Sequence, residues 1–268
     1  MLNIRKNLLA AAVGVALSAG MASQANAVPA FTVSPDGIPG TTGLSPFTAT
    51  SINGSSSELL TVTSPTTVTG SGFADFHSFI NGITPVLPLP SGLDTQYGLY
   101  LTFQLSGTST NPGTPIGQPG SLQNLTSLNF QVFADPGLDD TFVAANTAGT
   151  GTAASVTDTN GNDFELGSGT LVSGSAGFNN GGVFLNSKEN FALTAAGSNY
   201  FTAPVPFYQF AFDEFNNTQS AAVINGNLIS INDASGAVDF NRVPEPGSLA
   251  LIGIALLGLV GLGRRRSA

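Results

Sequence analysis

Residues 97–105 read Tyr-Gly-Leu-Tyr-Leu-Thr-Phe-Gln-Leu. Tyr97, Leu99, Leu101, Phe103 and Leu105 fall on alternate positions, the period of a strand with one apolar face. The period recurs in 127–135, Ser-Leu-Asn-Phe-Gln-Val-Phe-Ala-Asp, where Leu128, Phe130 and Val132 are in phase. In 206–215 Tyr208, Phe210 and Phe212 share one face, and Phe207 and Phe215 the other. In 66–80 Phe73, Asp75, His77 and Phe79 share a side, so the pattern leaves the inner face undecided. Asn225-Gly226 sits between two apolar runs, as a type I′ hairpin turn requires. Segments 108–121 and 147–163 are rich in Gly, Ser, Thr, Asn and Pro, lack helical spacing and read as loops. Residues 28–62 are polar and read as an irregular lead-in or the first strands. No fixed-period repeat appears, which argues against a solenoid. The expected fold is all-β, an antiparallel β-sandwich, jelly-roll-like, of about ten strands.

The 268-residue chain has no Cys and no Trp, and nineteen Phe to fill a core without disulfides. Between Ala27 and Leu249 sixteen acids face two bases, Lys188 and Arg242, a net charge of −14. Such a body repels nucleic acid and anionic membrane surfaces, and suits cations, basic partners or neutral sugars.

Both ends depart from this composition. Arg5 and Lys6 precede the apolar run Leu8–Leu17, and Ala25-Asn26-Ala27 has the small-x-small form that signal peptidase accepts. Residues 1–27 therefore read as a signal helix for the Sec translocon, cleaved after Ala27. At the other end Leu249–Gly263 is uncharged, roughly 22 Å long as a helix against roughly 30 Å of hydrocarbon, a short transmembrane helix. Arg264, Arg265 and Arg266 act as a membrane stop that stays in the cytoplasm. Both signals place the body, 28–242, outside the inner membrane, which the tail, 243–268, touches transiently.

Val243-Pro244-Glu245-Pro246-Gly247-Ser248, the apolar run and the three arginines together resemble the PEP-CTERM sorting signal of exopolysaccharide-producing Gram-negative bacteria. The resemblance implies a partner, exosortase, an integral-membrane protease that recognises and processes the tail. Proline chemistry is compatible: Pro244 and Pro246 keep Val243–Pro246 extended at the membrane face. Segments 55–62, 97–103, 128–135, 166–179, 207–218, 223–232 and 238–259 further resemble the flocculation-associated PEP-CTERM proteins. That resemblance implies aggregation of cells within exopolysaccharide, and carries no catalytic residues.

Few residues point to chemistry. His77 is the sole histidine, with Asp75 two positions away, and no Gly-x-Ser-x-Gly elbow accompanies it. One His and no Cys exclude a zinc site of the usual kind. Asp213 and Glu214 alternate faces on a strand, and Asp139-Asp140 belong to a loop, so neither pair has the geometry of a glycosidase. Asp158, Asn160, Asn162, Asp163 and Glu165 gather oxygen donors suited to calcium, although Asp163 stands where an EF-hand needs Gly, and a plain polar loop reads the same. Tyr97, Tyr100, Tyr200 and Tyr208 are candidates to stack on sugars, with core packing the plainer reading. The expectation is a non-catalytic surface or matrix protein without a required cofactor, acting in exopolysaccharide-dependent aggregation. A secreted polysaccharide hydrolase with the same tail is the alternative.

Overall fold

The computed structural model describes residues 29–87, 91–180, 182–218 and 222–241. The expected signal helix and membrane helix lie outside them. The strands are β1 (Phe31–Val33), β2 (Phe47–Ala49), β3 (Ser51–Ser64), β4 (Thr67–Asn81), β5 (Thr84–Pro85), β6 (Tyr97–Ser109), β7 (Leu122–Pro136) and β8 (Thr141–Val143). They continue as β9 (Ser155–Thr157), β10 (Phe164–Asn179), β11 (Gly182–Leu193), β12 (Phe201–Ala203), β13 (Phe210–Thr218), β14 (Ala222–Asn225) and β15 (Leu228–Asn241). A short helix, α1 (Ala195–Tyr200), precedes β12.

The long strands β3, β4, β6, β7, β10, β11, β13 and β15 pair antiparallel in that order, and β15 returns to β3. The all-β antiparallel expectation holds, with apolar faces opposed across one interior and the sheet joined at its edges. The connectivity is not jelly-roll-like. Each long strand pairs with its neighbour in sequence, because connections such as Pro65-Thr66 between β3 and β4 are too short for a Greek-key crossover.

Leu99, Leu101 and Leu105 of β6 and Leu128, Phe130 and Val132 of β7 are buried in this interior, as their alternation predicts. Their neighbours Gln104, Asn129 and Gln131 are exposed. Apolar inside and polar outside is the reverse of a lipid-facing barrel. Gly169 stands opposite Phe130, and a Cβ there would meet the ring at 2.3 Å, so glycine lets the ring lie across its partner strand.

One end of the interior is closed by the three-stranded sheet β12-β1-β2 and by α1. Phe31 of β1 sets its ring edge-on to Phe240 at 5.2 Å and to Phe201 at 5.9 Å. Thr194 caps α1 by accepting from the Gly197 N–H at 3.0 Å. A Cβ on Gly197 would fall 1.7 Å from the Leu166 carbonyl oxygen, so glycine permits the helix to lie on β10. The polar lead-in thus supplies β1, β2 and part of β3.

Tyr97 and Tyr200 are both fully buried, and their hydroxyls bond at 2.8 Å. Tyr97→Phe is expected to cost about 1–2 kcal/mol, because it strands the Tyr200 hydroxyl away from water. Urea denaturation measures it, and unchanged stability would contradict the assignment.

Three local readings shift. A register shift at Asn53/Gly54 changes the phase of β4, so Phe76 and Phe79 both face the core. Phe73 faces the other way yet is buried, packed with Ala145 and Ala154 beside the hairpin β8–β9. The β14–β15 turn uses Gly226-Asn227, with Gly226 at φ 61°, while Asn225 pairs with Leu228 and its amide donates to the Thr147 carbonyl at 2.8 Å.

Candidate metal centre

Asp135 ends β7, where Pro136 and Gly137 turn the chain back on itself. Its carboxylate, 3% exposed, accepts from the N–H groups of Asp139 at 3.5 Å and Asp140 at 3.3 Å. Pairing of Ala134 with Phe164 brings the start of β10 alongside. The loop before β10 is shaped by Asp158, which accepts from the N–H groups of Gly161 at 2.6 Å and of Asn162 and Asp163 at 3.3 Å. Asn162 then donates to the Pro136 carbonyl at 2.8 Å and docks the loop on β7.

The result is a cluster of three carboxylates, Asp135, Asp140 and Asp163, each offering one oxygen within 4.8 Å of the others. Five further facts of chemistry concern single atoms: Asp139 Oδ1, both Asp140 oxygens, Asn162 Oδ1 and Asp163 Oδ1 are buried without a hydrogen-bond partner. Burial, first of all, raises Asp140 above the ordinary carboxylate range, and the Asp163 and Asp135 charges add to it. Burial raises Asp163 too, against the hydrogen bond from Tyr100, and raises Asp135 against its two N–H donors. Asp158 behaves oppositely: burial works against its ionised form and is outweighed by backbone N–H donors, so it is lowered. Clustered hard oxygens that repel one another suit a divalent cation such as calcium.

Of the five donors expected from sequence, the structure brings Asn162 and Asp163 to this cluster. Asp158 is engaged by its own loop, Asn160 donates to Asp139, and Glu165 accepts from Gln131 at 3.2 Å on the sheet. Sequence reasoning missed Asp135, Asp139 and Asp140. Their signal was an aspartate followed by Pro-Gly and two more aspartates, an acid whose turn folds its successors back onto it.

Other candidates resolve as follows. His77 directs Nδ1 to Asp94 at 3.2 Å and Nε2 to Asp75 at 3.6 Å, so carboxylates meet both ring nitrogens. Tyr100 is buried and donates to Asp163, and Tyr208 donates to the Ala30 carbonyl at 2.8 Å. With Tyr97 and Tyr200 bonded to each other, all four tyrosine hydroxyls are used within the fold. Asp213 turns inward with Ala211 and Phe215, while Phe210 lies under the Lys188 ammonium at 4.3 Å. Glu58, Glu189 and Asp213 are thus buried acids of the interior. Glu58 and Asp213 line a cavity of about 50 Å³, room for a few waters. Burial pushes Glu58 up to about 7.

Residues 242–266 match the family described as the PEP-CTERM protein-sorting motif. The stretch holds Val243, Pro244, Glu245, Pro246, Arg264, Arg265 and Arg266, which with Ala25 and Ala27 lie outside the described residues. The motif is that of an exported chain processed by exosortase for the cell surface. No curated protein and no solved structure matches the chain. The resemblance to flocculation-associated proteins rests on the quoted segments alone.

Proposed function

We propose that this is a non-catalytic surface or matrix protein of a Gram-negative bacterium, acting in exopolysaccharide-dependent cell aggregation. The sorting motif at 242–266 carries the reading. The Sec translocon and signal peptidase deliver the body outside, the tail holds it briefly in the inner membrane, and exosortase frees it. Three observations support a role without catalysis. The interior acids border too little space for a sugar. His77 meets carboxylates on both nitrogens. The aspartate cluster sits at a loop junction beside Tyr100, where a bound calcium ion would fasten the β7 and β10 ends to each other. That cluster is assigned a structural role.

The test is aggregation of a strain lacking the gene. Flocs should be lost, return with the full chain, and stay absent with a chain ending at Arg242. Normal flocs without the gene would overturn the reading.

A further inference from the structure

Outward-facing residues of five adjacent strands fall into register. Ser71 of β4 pairs with Gln104 of β6, Gln104 with Asn129 of β7, Asn129 with Thr170 of β10, and Thr170 with Asn190 of β11. Because neighbouring strands lie about 4.8 Å apart, the row spans about 19 Å. Gln104, Asn129, Thr170 and Asn190 are exposed and Ser71 is half-buried. Among the described residues none of the five side chains hydrogen-bonds another protein group. A second row, Thr102, Gln131 and Ser168, runs beside the first. Ala154, Ser155 and Val156 rise along one side, turning the face into an open groove of about 830 Å³.

We propose that this groove binds a neutral polysaccharide chain lying across the strands, which rests on the matrix reading above. Each strand contributes an amide or hydroxyl at the spacing of the sheet, so a polyhydroxylated chain meets donors and acceptors along its length. No charged side chain lines the groove, and a body of net charge −14 repels an anionic polymer. The strands beneath the groove offer a peptide strand no free edge, because each is paired on both sides.

Gln104→Ala with Asn129→Ala removes two central side chains from exposed positions, and circular dichroism checks that the fold persists. The probe is exopolysaccharide stripped from the producing cells and separated by anion exchange into neutral and acidic fractions. Affinity electrophoresis of the secreted protein should show retardation by the neutral fraction. The double variant should bind about ten-fold more weakly, as expected for two lost hydrogen bonds. Equal retardation of the variant, or binding to the acidic fraction alone, would overturn the groove while leaving the matrix reading standing. No retardation of the parent protein by either fraction would overturn both.

Discussion

Glu189→Gln is expected to stabilise the protein at pH 8 by about 2–4 kcal/mol and to change little at pH 5. Glu189 is 0% exposed on the inward face of β11, and neither carboxylate oxygen has a hydrogen-bond partner. Burial raises its pKa, and the charge of Asp213 on the adjoining strand raises it further. The Ser187 hydroxyl beside them eases this little, since it too is buried without a partner. Asp213 is raised by burial and then by Asp239. For an acid raised on folding, the folded state holds its proton where the unfolded state has lost it. Stability is therefore full below the unfolded pKa and falls as pH climbs toward the folded one. Glu58, moved from 4.5 to about 7, alone implies a loss of about 3 kcal/mol between pH 4 and pH 8. Thermal unfolding at pH 5 and pH 8 measures both effects. A parent protein more stable at pH 8, or a variant with a lower Tm there, would contradict the buried-acid account.

The second large effect is expected from calcium. Asp135, Asp140 and Asp163 confront one another, and both Asp140 oxygens and Asp163 Oδ1 are buried with no donor to satisfy them. An ion at a hundred times its Kd stabilises a fold by about 2.7 kcal/mol, which for a domain of this size raises Tm by about 5–10 °C. The rise should shrink at pH 5, because protons compete for carboxylates whose pKa values are raised. Asp140→Asn removes one charge from the centre. It should raise the Tm in chelator and abolish the calcium response. A Tm indifferent to calcium and chelator at pH 8 would exclude the site.

These two predictions rest on residues that sequence periodicity locates unevenly. The strands β6 and β7 alternate strictly between apolar and polar, so one inward phase is possible and the structure uses it. In β13 phenylalanines occupy both phases, and alternation cannot choose; pairing on both sides, with β11 and with β15, accompanies an inward Asp213. The phase change in β4 comes from a bulge in β4 itself, where His77 is the extra residue opposite Asn53 and Gly54 of β3, and strict alternation does not anticipate it. Phe73 and Tyr100 lie on the outward phase yet are buried, because the distant hairpin β8–β9 covers the outer face there, which alternation within a strand does not record. The aspartate cluster was half legible. Asn162 and Asp163 stood in a donor-rich loop, whereas Asp135 and Asp140 join them only through the β7–β10 pairing. The sorting tail was fully legible, because its parts are contiguous and owe nothing to tertiary contacts.

The account centres on that tail, so the most direct measurement is the mass of the protein recovered from the cell surface or matrix, with and without exosortase. The expected result is a chain beginning at Val28 and ending near Pro246, seen only when exosortase is present. Extra mass on that fragment would mean that the new terminus is joined to another molecule. An intact tail running to Ala268 in both strains would contradict the account.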